Sequence, residues 1–177
     1  MKSYLAALAL VLFGIAPAFA DDAADMKAAA GSFYGVILGD KSGGIPDAKN
    51  MARYKPLASA GLVAALKQAS DAEARFAARN KNTPPLVEGN VFTSLFEGIT
   101  SFSVGACQAN GARGQCSIDL VYDDKTGKPT RWTDTLMLTK EAGGWRADDI
   151  GYGGNWAFAN NGTLRATLKT AIGMSGQ

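Results

Sequence analysis

QCSIDLVYDDKTGKPTRWTDTLMLTKEAGGWRADDIGYG, from Gln115 to Gly153, decides the fold class of this chain. Ile118, Leu120 and Tyr122 alternate with Ser117, Asp119 and Val121. Further on, Trp132, Asp134, Leu136 and Leu138 alternate with Thr133, Thr135, Met137 and Thr139. A period of two is the mark of a half-buried strand. DDKTGKP and EAGG separate the runs and carry turn chemistry, and WRADDIGYG reads as the last strand. Contiguous strands joined by short turns make an antiparallel meander.

Working outward, Cys107 and Cys116 flank QANGARGQ, a Gly-rich hairpin turn. A disulfide between the adjacent strands is expected, restraining the turn by a few kcal/mol at most. The spacing is not that of a C-x-x-C redox pair. VFTSLFEGITSFSVGAC, Val91 to Cys107, has strand-like aromatics and branched residues, with Gly98 marking a turn or bulge. A helical turn within it would set Thr93 beside Glu97.

The first half is helical. Ala29, Phe33, Val36 and Ile37 share one face of a helix from Asp22 to about Gly39. Pro46-Asp47 starts a short helix through Tyr54, which Pro56 ends. A longer helix from about Leu57 to Asn80 has Leu62, Leu66, Ala69, Ala72 and Phe76 as its stripe. GTLRATLKTAIG adds a short C-terminal helix with Leu164, Leu168 and Ile172 at helical spacing. The class is α+β, with N-terminal helices packed on one face of a curved antiparallel β-meander.

The first residues read as a cleavable signal peptide. Lys2 precedes an apolar run from Leu5 to Ile15, and Ala18-Phe19-Ala20 offers small residues for cleavage after Ala20. The run is too short to span a bilayer, and no later stretch is apolar enough, so no membrane association is expected after cleavage. Cleavage leaves 157 of the 177 residues as one domain, Asp21 to Gln177, in the periplasm, and the formal charge falls from +2 to +1 because Lys2 is lost. A nearly neutral chain gives no electrostatic reason to bind nucleic acid. Histidine is absent, which excludes His-based triads, His metal ligands and His proton shuttles. No metal site, nucleotide loop or nucleophile elbow is present, and no cofactor is expected.

Two polar features remain. Asp148 and Asp149 lie between Trp145 and Tyr152. Strand geometry sends neighbours to opposite faces, so Trp145, Ala147 and Asp149 share one face and Arg146, Asp148 and Ile150 the other. That argues against a paired-carboxylate mechanism and leaves Asp149 as the inward acid. The plainer reading pairs one Asp with an Arg or a backbone group and leaves the other solvated. The second feature is Thr93, Ser94 and Glu97 in an apolar setting, whose plainer reading is local satisfaction of turn backbone.

Four stretches resemble the exported bacterial proteins grouped as DUF3828, a domain of unknown function. They are FYGVIL (Phe33 to Leu38), LVEGNVFTSLFEGITSF (Leu86 to Phe102), WRADDIGY (Trp145 to Tyr152) and TLRATLKTAI (Thr163 to Ile172). Asn90 departs from the pattern, which has an acidic residue after the glycine. The resemblance implies an NTF2-like cone with a pocket between sheet and helices. It brings no activity, because such folds host isomerases, dehydratases and binding modules alike.

The leading expectation is a non-catalytic binding or interaction module for a small molecule or protein. Its pocket would be lined by Phe92, Thr93, Phe96, Trp132 and Trp145, with Glu97, Asp149 and Tyr152 as polar anchors. The alternative is a cofactor-free isomerase or hydro-lyase with Asp149 or Glu97 as base and Tyr152 as donor. A third is an immunity or inhibitor protein, marked by a large exposed apolar patch.

Overall fold

The computed structural model describes residues 19–175. The expected signal segment lies almost wholly outside them. Eight elements follow in order: α1 (Phe19–Gly39), α2 (Ala48–Tyr54), α3 (Ala60–Arg79), β1 (Ser101–Asn110), β2 (Arg113–Tyr122), β3 (Thr130–Glu141), β4 (Gly144–Gly151) and α4 (Leu164–Met174). The strands form one open antiparallel sheet in the order β1-β2-β3-β4. This is the expected α+β meander, with helices packed on one side.

The helices start where short polar side chains replace the missing backbone acceptors. Asp47 accepts from Asn50 N at 2.8 Å, Ser59 from Leu62 N at 2.9 Å and Thr163 from Ala166 N at 3.3 Å. In α3 the buried stripe is Leu62, Leu66, Ala69 and Ala72, and Phe76 lies half-buried beyond it. In α1 the buried face is Met26, Ala30, Phe33, Tyr34 and Ile37. The expected Ala29 and Val36 flank that face half-buried, because the helix rolls to put two aromatic rings against the sheet. Phe33 meets Tyr34, Tyr54 and Phe92 edge-on at 5.9–6.1 Å, and Tyr54 stacks on Phe92 at 4.5 Å. Each such pair contributes about 0.5–1.5 kcal/mol beyond its buried area.

Val91 to Thr100 forms neither strand nor helix; β1 begins only at Ser101. Gly89 and Gly98 take φ of +68° and +89°, and the Asn90 side chain accepts from Phe92 N at 2.8 Å. These side-chain and glycine turns divert the backbone from the ladder. The helical turn expected to join Thr93 to Glu97 is therefore absent: Thr93 is buried with its hydroxyl on Leu95 O, and Glu97 is exposed.

Both edge strands carry a bulge. In β1 the extra residue falls between Val104 and Cys107; in β4 it falls between Ala147 and Asp149. The β4 bulge corrects the expected faces. Trp145 and Ala147 point inward, and Ile150 then takes the inward place that strict alternation gives to Asp149.

Cys107 and Cys116 stand directly opposite in the β1–β2 register and are disulfide-bonded. Gly111, at φ +61°, opens the two-residue turn, as a type II′ hairpin requires. The bond closes a short loop, so replacing both cysteines by alanine is expected to lower stability by about 2–3 kcal/mol. Urea unfolding of the two proteins would measure it, and a difference below about 1 kcal/mol would contradict the loop-entropy account.

Candidate functional site

The acid that the fold places most deliberately is Asp134. It occupies the inward row of β3 between Trp132 and Leu136 and is fully buried. A buried carboxylate must be met by donors. Ser94 supplies its backbone N–H at 2.9 Å and its hydroxyl, and Gly153 supplies a backbone N–H at 2.9 Å. Gly154 N then donates to Ser94 Oγ at 2.9 Å. Gly153-Gly154, the exit from β4, must be glycine here. A Cβ at Gly153 would overlap the Thr133 carbonyl oxygen, and one at Gly154 would lie 2.7 Å from Ser94 Cβ.

This network ties two loops together, Gly89–Gly98 and Tyr152–Asn161. Asn160 extends the lacing: its side-chain amide donates to Asn90 O at 3.0 Å and Thr93 O at 2.8 Å, and its backbone N–H to Ser94 O at 2.8 Å. Tyr152 donates to Val91 O at 2.5 Å, and burial holds its phenol well above the ordinary range. Burial also raises the Tyr34 phenol, with the nearby Asp134 carboxylate adding to the effect. Among the described residues, the Tyr34 hydroxyl and Trp132 Nε1 are buried without a hydrogen-bond partner. The laced loops end in two outward rings: Phe96 is 48% exposed and Phe158 is 88% exposed. Trp156 anchors the second loop by packing edge-on against Trp132 at 5.6 Å.

Asp148 and Asp149 sit elsewhere and serve α4. Asp149 accepts from Arg165 N at 2.9 Å, in the first turn of α4, and from Ile150 N at 2.8 Å. It acts as a second cap on that helix. Asp148 accepts from Ser59 Oγ at 2.5 Å, Arg165 at 2.6 Å and Arg113 at 3.1 Å. Partial burial opposes its charge, but the Ser59 hydroxyl and the Arg165 and Arg113 guanidiniums outweigh burial and hold its pKa below 3.8. A carboxylate with a depressed folded-state pKa stabilises the fold above its unfolded pKa and loses that contribution as pH falls through the folded value. Stability is therefore expected to decline once pH drops below about 4. Asp148→Asn should flatten that acid limb in denaturation curves run from pH 6 to 2; an unchanged limb would assign it to other carboxylates.

The expected site residues are thus dispersed. Phe92 belongs to the aromatic core with Phe33 and Tyr54, where the expected cone would open a pocket. Thr93 is buried beneath the laced loops. Glu97 borders a cleft of about 140 Å³ with Asp40, Lys41 and Asn90. Trp132, though inward and nearly buried, borders a groove of about 520 Å³ beside Ser103, Asp119 and Arg131. Trp145 borders a third cleft, of about 350 Å³, and donates to Asp22 at 3.0 Å. Glu97 and Asp149 share none of these cavities. Sequence reasoning passed over Asp134, Ser94 as its partner, and Phe158. The available signal for Asp134 was its register, an acid in an apolar row.

Among the described residues, no group of three His, Cys, Asp or Glu side chains is placed to hold a metal ion, and no helix is long and apolar enough to cross a membrane. No family model, curated protein or solved structure matches the chain.

Proposed function

We propose that this protein is an exported, periplasmic binding module that engages a protein or small-molecule partner through the loop end carrying Phe96 and Phe158, and that it works without catalysing a reaction. The observation that carries this reading is Phe158, an aromatic ring 88% exposed on a loop whose backbone is fixed from beneath by Asn160, Ser94 and Asp134. A free ring on a pre-ordered loop has already met much of the entropy cost of binding. Gly151 to Gly162 carries no charge and combines aromatics with asparagines, a composition suited to broad contact with adaptable hydrogen bonding.

The remaining parts of the reading have their own support. The disulfide suits an oxidising compartment, as an exported chain would meet. Membership of DUF3828 and an NTF2-like relationship rest on the four quoted stretches and on the order of helices followed by a bulged meander. Commitment of Asp149 to capping α4, and of Glu97 to an exposed rim, leaves the enzyme alternative without an assembled base and donor.

The test immobilises wild type and the Phe96→Ala/Phe158→Ala variant and compares what each retains from periplasmic extract by mass spectrometry. Phe158 is almost fully exposed and Phe96 half-exposed, so the variant should keep its fold and melt within about 5 °C of wild type. It should lose at least about tenfold in retention of any specific partner. A partner held equally by both proteins would move the site away from these loops.

A further inference from the structure

The two edges of the sheet are treated differently. The outer edge of β4 is covered in two places, at Ala147 and at its end. Ser59 N donates to Ala147 O at 2.7 Å, Ala147 N to Leu57 O at 2.9 Å, and Tyr152 N to Gly162 O at 3.1 Å. Among the described residues, no strand or bridge pairs with the outer edge of β1. Exposed edges are normally protected by charge, proline or a bulge, and of these β1 has the bulge alone. The ten residues of β1, SFSVGACQAN, contain no charge and no proline, and none of them is buried. Its inward side chains, Phe102, Val104, Cys107 and Ala109, pack on the core but remain half-buried, so the apolar layer stops short at this edge.

The bulge gives the strand an unusual symmetry. Before it, inward positions are 102 and 104; after it, they are 107 and 109. Placing the strand antiparallel to itself, with a two-fold axis at Gly105-Ala106, sets Phe102 opposite Ala109 and Val104 opposite Cys107 of a second copy. Ser101 then meets Asn110, and Ser103 meets Gln108. Apolar faces apolar and polar faces polar along both arms. Moving the register by one residue either way breaks this match: Phe102 would face Gln108, or Val104 would face Gln108. With no charge on the strand, self-pairing brings no like charges together.

We propose that the β1 edge pairs with the β1 edge of a second copy in this register, joining two four-stranded sheets into one. Such an interface is isologous and closes at two subunits. It continues the apolar layer across the seam and covers the half-buried row of each copy. It is separate from the loop end carrying Phe96 and Phe158.

The test measures molar mass in solution for the disulfide-intact protein by light scattering and sedimentation over about 1–200 µM. Wild type should reach twice the monomer mass. Ser103→Lys/Gln108→Lys places lysines opposite each other twice across the seam and should weaken association by at least about tenfold. Both sites are exposed in the single chain, so circular dichroism should stay unchanged, and melting should match wild type at concentrations where both are monomeric. Ser103→Lys/Gln108→Glu sets opposite charges across the same pairs and should restore the dimer. A wild-type protein monomeric throughout the range overturns the proposal. A dimer indifferent to the double lysine variant, or one that the charge-swapped pair fails to restore, overturns the register and with it the proposal.

Discussion

Asp134→Ala is expected to lower the unfolding free energy by about 3–5 kcal/mol, the range for removing one partner from a buried charged network. The buried Ser94 loses the acceptor of both its N–H and its hydroxyl where water does not reach, and the N–H of the more exposed Gly153 loses its acceptor as well. At roughly 2–4 °C per kcal/mol for a domain of this size, the melting point should fall by about 10 °C. Asp134→Asn keeps one acceptor oxygen but turns an amide donor toward groups that are themselves donors, so its loss should be intermediate. Asp119→Ala supplies the control, since Asp119 lies exposed on the outer sheet face and accepts from Thr133 Oγ1 at 2.7 Å. Urea unfolding of the four proteins gives the order wild type, Asp119→Ala, Asp134→Asn, Asp134→Ala. If Asp134→Ala falls within about 1 kcal/mol of wild type, the network does not hold the loops as described.

The second large effect is expected at Gly153→Ala. The added methyl would be driven into the carbonyl oxygen of Thr133, which is part of β3 and cannot swing aside like a flexible side chain. Either the Gly153 segment lifts off, breaking the N–H bond to Asp134, or β3 distorts. Overpacking of this kind costs about 1–3 kcal/mol, and the lost hydrogen bond to the buried Asp134 carboxylate adds about 1 more. Gly127→Ala offers a matched control, because nothing lies within 4 Å of its added carbon and its φ is not positive. Thermal unfolding should separate the two by about 2 kcal/mol or more. The Gly153 and Asp134 variants should also be strongly non-additive, since both break the same contact. Additive losses would mean that the glycine acts through strand distortion alone.

Features governed by local rules were legible from the residues. Alternation along Ser117–Tyr122 and Trp132–Thr139 placed two strands, and the turn residues placed their connections. Cys107 and Cys116 could be paired because they flank a turn of the right length. What escaped depends on groups far away in sequence. The parity of β4 changes at Asp148 because Ser59 and Arg165, on α3's cap and α4, draw that carboxylate outward at the bulge; nothing within WRADDIGY announces it. Asp149 read as an inward acid for the same reason, and its actual role required knowing that α4 would start beside it. Val91–Thr100 has strand-forming residues, yet Gly89, Gly98 and the Asn90 side chain spend its backbone bonds on turns. Phe158 gave no periodic signal at all, because an exposed loop residue obeys neither repeat.

The Cys107–Cys116 bond also alters the order in which the molecule assembles. Its partners are nine positions apart, so joining them is among the least costly long-lived contacts the chain can make. Once formed, the bond survives unfolding, and an oxidised chain begins each refolding attempt with the β1–β2 hairpin already aligned just past the bulge. A reduced chain has to find that alignment among slipped pairings, and a one-residue slip turns the paired side chains to the wrong face. Oxidised protein should thus regain its fold faster as well as more completely, because a covalent record of the correct pairing persists in the denatured ensemble.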